Sequence, residues 1–139
     1  MKRILTVILA VMLMLMLTMT QAAFADSYPE FNFETRTVPL NSGYEMPMLG
    51  LGMFSLSDSQ AENSTYWALK AGFRLIDTAR IYGNEAAVGR GLRRAMDEGI
   101  VTREEVFITT KMWTSDFSNG DAAIDASLQR QASTYRRFT

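Results

Sequence analysis

Three side chains of different acidity could act together: the carboxylate of Asp77, the phenol of Tyr82 and the amine of Lys111. A phenol with a pKa near 10 is a weak acid at neutral pH, but a buried ammonium beside it stabilises the phenolate and lowers that pKa. We expect Lys111 to supply this charge and Asp77 to pair with it, since an unpaired buried ammonium is costly. The trio would protonate a carbonyl oxygen as a general acid. Alternatively, Asp77 and Lys111 form a structural ion pair and Tyr82 caps a loop, which spacing alone favours.

Three apolar segments predict short buried strands, and the last two end in or beside a charged residue. They are Met48–Met53, Phe73–Thr78 and Val106–Lys111. Before them, two extended runs around Asn41-Ser42-Gly43 predict a β-hairpin. Strands that are apolar along their whole length are typical of a parallel sheet buried on both faces, where reactive groups gather at the C-terminal strand ends. We therefore expect Asp77 and Lys111 at one edge of the sheet.

Helical patterns follow each of these strands. The first helix, from Ser57 to about Ala71, begins with a capping box of Ser57 and Gln60. Asn84 is expected to cap a second helix, and a third begins near Ala122. The second helix carries an apolar stripe at steps of four: Val88, Leu92 and Met96. A hairpin followed by three strand-helix units predicts an α/β fold with a parallel sheet.

The first 25 residues predict a secretory signal peptide, with a basic start, an apolar run and Ala23-Phe24-Ala25 as cleavage site. An uncleaved membrane anchor is the alternative. The chain is thus predicted to be exported, and residues 26–36 to form an irregular leader. Without the signal segment, 12 basic residues stand against 15 acidic ones, a net charge of −3 that argues against nucleic-acid binding. The absence of Cys and His argues against zinc sites and Ser/His or Cys/His hydrolases.

Three separated segments resemble the aldo-keto reductases in wording, order and spacing. They are Met46–Gly52, Gly72–Glu85 and Phe107–Trp113, and the middle one is the most specific. The resemblance covers residues 37–130 and includes bacterial 2,5-diketo-gluconate and glyoxal reductase-like members. It implies NADPH-dependent reduction of small aldehydes or ketones to alcohols, with no metal, in a TIM (β/α)8 barrel.

The resemblance also implies roles for individual residues. Tyr82 would be the proton donor, Lys111 would lower its pKa, and Asp77 would orient Lys111. A nicotinamide pocket would be lined by Gly52, Met53 and Asp77. The carbonyl substrate would contact Phe54, Tyr82 and Trp113. For Phe54 and Trp113, packing in the core is the alternative.

The sequence departs from the family in two respects. The family's fourth catalytic residue is a His, which this sequence lacks, and the residues for the NADPH 2′-phosphate are expected beyond Thr139. Residues 131–139 are polar and unlike the family. Shifted by one base, their codons could encode Arg-Leu-Gln-Leu-Ile-Asp-Asp-Leu, so we hypothesise a frameshift in this tail.

A complete barrel needs about 250 residues, so 139 residues predict a hairpin and the first three βα units of an incomplete one. We favour a truncated reductase that is inactive as this chain. One alternative is half of a two-piece reductase completed by a separate C-terminal barrel piece. Another is a small exported binding protein without catalysis.

Overall fold

The computed structural model describes residues 31–131 and four isolated positions nearer the N-terminus, residues 8, 11, 12 and 14. The predicted cleavage site and residues 132–139 lie outside the described residues, so the signal-peptide and frameshift predictions find no test there. The chain divides into two units, Met1–Phe31 and Asn32–Thr139, and all elements below belong to the second. Within the described part, no helix is both long enough and apolar enough to span a bilayer.

The predicted hairpin is confirmed. Strand β1 (Thr37–Pro39) pairs antiparallel with β2 (Glu45–Pro47). Gly43 has a φ of +82°, a left-handed conformation that glycine adopts without strain, and its amide donates to the carbonyl of Leu40 at 2.9 Å. Within the predicted leader, the side chain of Asn32 accepts hydrogen bonds from the amides two and three residues ahead, which makes a local turn before β1.

A separate three-stranded sheet is parallel, as predicted. Its strands are β3 (Leu51–Gly52), β4 (Leu75–Asp77) and β5 (Phe107–Thr109), in the order β3-β4-β5. Gly52, Asp77 and Thr109 are register partners across the sheet. Backbone hydrogen bonds of 2.9 Å continue the pairing past the strands, so the three C-terminal ends stay aligned. This alignment brings the residues after each strand to a common edge.

The strands are shorter and more exposed than their apolar sequences predict. Each has two or three residues, and of these only Ile76 is buried completely. The prediction of a sheet buried on both faces is therefore wrong for the described residues. An apolar pattern shows that side chains need cover, but it does not specify which part of the chain provides that cover.

Three α-helices follow the strands: α1 (Asp58–Lys70), α2 (Glu85–Asp97) and α3 (Gly120–Arg130). The capping box at the start of α1 is confirmed, because Ser57 and Gln60 each accept a hydrogen bond from the other's backbone amide. Beyond the last turns of α1 and α2, Gly72 and Gly99 adopt left-handed φ values of +98° and +68°.

The core lies between α1, α2 and the sheet. Val88 and Leu92 of the predicted stripe are buried, and Met96 packs against them at the margin. Helices α1 and α2 approach closely at Gly91, where any Cβ atom would collide with the backbone carbonyl of Glu62. The fully or nearly fully buried apolar side chains are Met53, Ala61, Tyr66, Ala68, Leu69, Ile76, Ala79, Ala87, Val88, Leu92, Ala95, Val101 and Val106.

Candidate active site

Asp77 and Lys111 form an ion pair at the C-terminal edge of the sheet. The Lys111 Nζ donates to Asp77 Oδ1 at 2.8 Å and to Oδ2 at 2.7 Å, and also to the carbonyl of Thr78 at 2.9 Å. Their side chains are 40% and 50% exposed respectively, so the expectation of a buried ammonium is wrong. Within the described residues this edge is open, and the alignment of the strand ends brings the pair together without burying it.

The two charges stabilise each other. Burial alone would raise the pKa of Asp77, but hydrogen bonds from Lys111 and from the Thr109 hydroxyl, at 2.5 Å, hold that pKa below its ordinary value. Burial likewise pulls the pKa of Lys111 down, yet the hydrogen bond and charge of Asp77 outweigh it and raise that pKa. Both groups are therefore charged at neutral pH.

Tyr82 lies beside this pair, at the end of a 3₁₀ turn formed by Arg80–Tyr82. The turn is anchored to the third strand end because the amide of Arg80 donates to the carbonyl of Lys111 at 3.1 Å. The Lys111 Nζ lies 5.2 Å from the centroid of the Tyr82 ring. The Tyr82 phenol is near enough to contribute to the raised pKa of Lys111. The structure thus brings all three predicted residues together, while their chemical roles stay predictions.

Two aromatic side chains in the loops that carry the trio are open to solvent. Phe54 is 71% exposed and meets Tyr82 edge-to-face, with ring centroids 5.1 Å apart. Trp113 is 46% exposed, and its amide donates to the carboxylate of Asp116 at 2.9 Å. Arg80 bridges to the same Asp116 at 2.6 Å, which joins the Tyr82 turn to the Trp113 turn. Packing in the core, the alternative for both aromatics, is therefore wrong.

The two remaining predicted residues differ in what they offer a ligand. Gly52 is exposed, and a Cβ placed on it would meet no atom within 4 Å, so a flat ring can approach the backbone there. Met53 has no exposed surface: its side chain lies in the core and its amide donates to the carbonyl of Asp77. Of the two, only Gly52 presents surface at the open edge. Within the described residues, no group of three or more acidic side chains could hold a metal ion.

Asn84 plays a different part from the predicted one. It occupies the N-cap position of α2, but its side chain makes no capping hydrogen bond. Its amide is 1% exposed and instead accepts from the Thr78 hydroxyl at 2.9 Å and donates to the carbonyls of Met53 and Leu56. The capping prediction is wrong because long-range partners in the loops after β3 and β4 take up every polar atom of the side chain.

Glu85 is a buried carboxylate that motif reasoning about the trio did not identify. It is 1% exposed and accepts from Arg130 Nε at 2.6 Å, the Thr110 hydroxyl at 2.7 Å and Gln131 Nε2 at 3.1 Å. A sequence signal existed, since Glu85 lies three and seven residues before Val88 and Leu92 and so shares their buried helix face. The carboxylate ties α2 to the residue next to Lys111.

The part of the chain that carries the candidate site is similar to known proteins. The model of the Aldo/keto reductase family matches residues 48–137. The NAD(P)H-dependent D-xylose reductase I,II of Candida tropicalis is 47% identical over 94 residues, and the NADH-dependent D-xylose reductase of Candida parapsilosis is 48% identical over 93. Each alignment covers 66% of this chain and 29% of the relative.

A solved structure gives the same result. The crystal structure of a Bombyx mori aldo-keto reductase in complex with NADP matches with a TM-score of 0.67 and 36% identity, covering 71% of this chain and 35% of that one. This chain therefore spans about a third of the solved protein and less than a third of the two yeast relatives. The family match ends at residue 137, beyond the predicted domain boundary at residue 130.

Proposed function

Because this chain belongs to the aldo-keto reductase family, we propose that its strand-end trio delivers the proton in the NADPH-dependent reduction of a small aldehyde or ketone. The observation that carries the proposal is the ion pair of Lys111 and Asp77 beside the Tyr82 ring. The names of the relatives, which are NAD(P)H-dependent or NADH-dependent reductases, support the choice of reaction.

In this proposal the Tyr82 hydroxyl donates its proton to the carbonyl oxygen of the substrate. Negative charge then develops on the phenol. The ammonium of Lys111, whose Nζ lies 5.2 Å from the centroid of the Tyr82 ring, stabilises that charge. Asp77 binds Lys111 through both carboxylate oxygens, so the ammonium keeps its charge and its orientation. A nicotinamide held beside Gly52 and Asp77 would supply the hydride that the carbonyl carbon accepts.

The open surface around the trio fits a small, partly apolar carbonyl compound. Phe54, in edge-to-face contact with Tyr82, and Trp113, two residues after Lys111, both expose aromatic surface, which suits an aliphatic or aromatic aldehyde. Gly52 leaves room for the nicotinamide ring next to Asp77. The substrate would thus lie between the aromatic faces and the open backbone of β3.

The described residues at this edge fit the nicotinamide end of the cofactor better than its phosphates. Lys111 is engaged with Asp77, and Arg80 with Asp116, so both cations have carboxylate partners already. The sequence also lacks the histidine that the family resemblance implies as a fourth catalytic group. We therefore propose that these 139 residues by themselves show little or no turnover.

A chimera tests the proton-delivery role separately from the turnover of the chain alone. Residues 37–130 would replace their counterpart in the D-xylose reductase of Candida tropicalis, which matches this chain over 94 residues, and NADPH oxidation with a panel of aldehydes would be followed by absorbance. We expect the chimera to turn over. Tyr82→Phe in the chimera should lower kcat by about a hundredfold or more, the usual contribution of a general acid.

Tyr44→Phe is the matched control, since it removes the same hydroxyl from an exposed tyrosine of the hairpin. It should leave kcat unchanged. Equal activity of the two variants, in a chimera that folds and binds NADPH, would refute the role of Tyr82. Robust turnover by the unmodified 139-residue chain would refute the proposal that it is inactive alone.

We also propose that residues 1–25 direct export and are removed after Ala25. The supporting features are the basic start, the apolar run and the small-x-small site in the sequence. Expression with the native N-terminus, followed by N-terminal sequencing of the extracytoplasmic fraction, tests this. A mature chain beginning at Asp26 is expected, and an intact N-terminus in the membrane fraction would instead indicate an anchor.

A further inference from the structure

The side chain of Asn84 connects two loops that carry the site. It accepts from the Thr78 hydroxyl, and its Nδ2 donates to the Met53 carbonyl at 2.8 Å and to the Leu56 carbonyl at 3.1 Å. Thr78 and Asn84 are themselves fully or almost fully buried. Hydrogen bonds in such dry surroundings are expensive to leave unmade, so these three contacts hold both loops firmly.

Each loop end held by Asn84 lies next to a group of the site. Thr78 begins the loop that ends in Tyr82 and Gly83, and its carbonyl accepts from Lys111 at 2.9 Å. Gly83 turns the chain with a φ of +72°, so Asn84 closes this loop by binding back to its first residue. The Asn84 side chain therefore fixes Tyr82 relative to the Thr78 carbonyl, which accepts from Lys111.

The Nδ2 atom of Asn84 binds the loop after β3. The Met53 carbonyl, which accepts from Nδ2, immediately precedes Phe54, the aromatic side chain in edge-to-face contact with Tyr82. Asn84 thus lies between the Phe54 backbone on one side and the Tyr82 loop on the other. A shift of the amide would change how closely the two rings approach.

We infer that Asn84 is a positioning residue that sets the placement of the Tyr82 phenol against the Lys111 ammonium by tying the loops after β3 and β4 together. The inference rests on the proposed role of Tyr82 as proton donor. A purely structural role would be different: the amide would add stability, and its removal would leave the surroundings of Tyr82 unchanged.

Near-isosteric variants test separately the hydrogen bond of Asn84 to Thr78 and its hydrogen bonds to the Met53 and Leu56 carbonyls. Asn84→Asp keeps the shape and one acceptor oxygen, but it turns a carboxylate oxygen toward the Met53 and Leu56 carbonyls in place of the donor. Thr78→Val removes the hydroxyl that binds Asn84, whereas Thr78→Ser keeps it. Val88→Ala is the control for lost stability, since Val88 is fully buried on the same helix and lies outside both loops.

The readout is the ¹³Cζ resonance of Tyr82 in the full chain labelled with [¹³Cζ]tyrosine. Tyr82→Phe assigns the signal by its loss, and Lys111→Ala gives its position when the ammonium is absent. We expect Asn84→Asp and Thr78→Val to move the signal toward the Lys111→Ala position. Thr78→Ser and Val88→Ala should leave it in place. Should Asn84→Asp fail to fold, Thr78→Val alone decides the question.

A Tyr82 signal that stays in place in both isosteric variants would overturn the inference, as would an equal shift in Val88→Ala. In the reductase chimera, the same two variants should lower kcat roughly ten- to a hundredfold while KM holds, because misplacement of a reacting group costs rate. The NMR result does not depend on turnover. A chimera indifferent to Tyr82→Phe would therefore refute the proposed function without deciding the position of Tyr82.

Discussion

Replacing Glu85 with Gln should destabilise the protein far more than the same change at a surface glutamate. Glu85 is 1% exposed, and its carboxylate accepts a hydrogen bond from Arg130 Nε at 2.6 Å. Glu62 offers a matched control, because it binds Arg90 Nε at the same 2.6 Å but is 34% exposed. The two ion pairs therefore have the same length but differ in burial and in the number of further donors to the carboxylate.

The magnitude follows from the partners of the Glu85 carboxylate. Three donors lie within 3.1 Å, on Arg130, Thr110 and Gln131. A hydrogen bond to a charged group contributes roughly 1 kcal/mol more than a neutral one, so Glu85→Gln loses about 3 kcal/mol before relaxation. Arg130 is 38% exposed and can regain water, which reduces the loss to about 2 kcal/mol. An exposed pair such as that of Glu62 contributes about 0.2–1 kcal/mol.

The assay is urea unfolding of the full chain at several pH values. Burial raises the pKa of Glu85, but the hydrogen bonds from Thr110 and Arg130, and the charge of Arg130, hold it below its ordinary 4.5. A carboxyl with a lowered folded-state pKa stabilises the fold above its unfolded-state value and loses that contribution as pH falls through the folded-state value. Wild-type stability should therefore fall below about pH 4.5, and the Glu85→Gln variant should show a flatter dependence.

Some dependence of stability on pH will persist in Glu85→Gln, since Asp77 and Glu98 also have lowered pKa values. Burial raises the pKa of Asp77, but the hydrogen bonds from Lys111 and Thr109 outweigh that effect. The pKa of Glu98 is lowered chiefly by the hydrogen bond from the Tyr66 hydroxyl. The stabilising role of the buried Glu85 carboxylate is refuted if Glu85→Gln and Glu62→Gln lower the free energy of unfolding equally at pH 7. It is also refuted if the pH dependence below 4.5 is the same in wild type and Glu85→Gln.

Two further changes test the helix contacts. Gly91→Ala should lower the free energy of unfolding by about 1–3 kcal/mol despite the better helix propensity of alanine, because its Cβ meets the Glu62 carbonyl. Gly120→Ala is the control, since its Cβ makes only ordinary van der Waals contact, and it should not lower the free energy of unfolding. Equal urea midpoints for the two variants would contradict the close approach of α1 and α2. Ser57→Ala should cost about 1 kcal/mol by removing the capping oxygen for Gln60, measurable in the same titration, and an unchanged midpoint would show that the capping box adds nothing.

Most of the fold follows from local sequence signals. The Ser57 capping box and the turn at Gly43 both act within a few residues, and the structure has each of them as predicted. Parallel pairing was also predictable, since the helix between consecutive strands supplies the crossover connection that a parallel pair needs. Strand burial was not, because it depends on which distant segments cover the sheet.

In the candidate site, too, local sequence predicts some features, while others depend on distant segments. The positions of Asp77 and Lys111 at strand ends could be predicted from two short apolar segments, so their meeting follows from topology. Their half-exposed state could not, since exposure depends on what lies over the edge. For Asn84, a local rule favours a helix cap, but its amide binds residues up to 31 positions away instead. Local capping rules fail where a buried long-range partner competes for the same side chain.

The start of α2 explains how three separate strand ends act as one unit. Asn84 binds the loops after β3 and β4, and the adjacent Glu85 binds Thr110, the first residue after β5. Two consecutive residues thus reach all three segments that carry the site, and both are almost completely buried. Because these contacts are polar and the Asn84 and Glu85 side chains that make them are buried, a small displacement of the helix start leaves several groups without partners at once. Stability and placement of the Tyr82 phenol are therefore coupled here, in contrast to the exposed pair of Glu62 and its arginine.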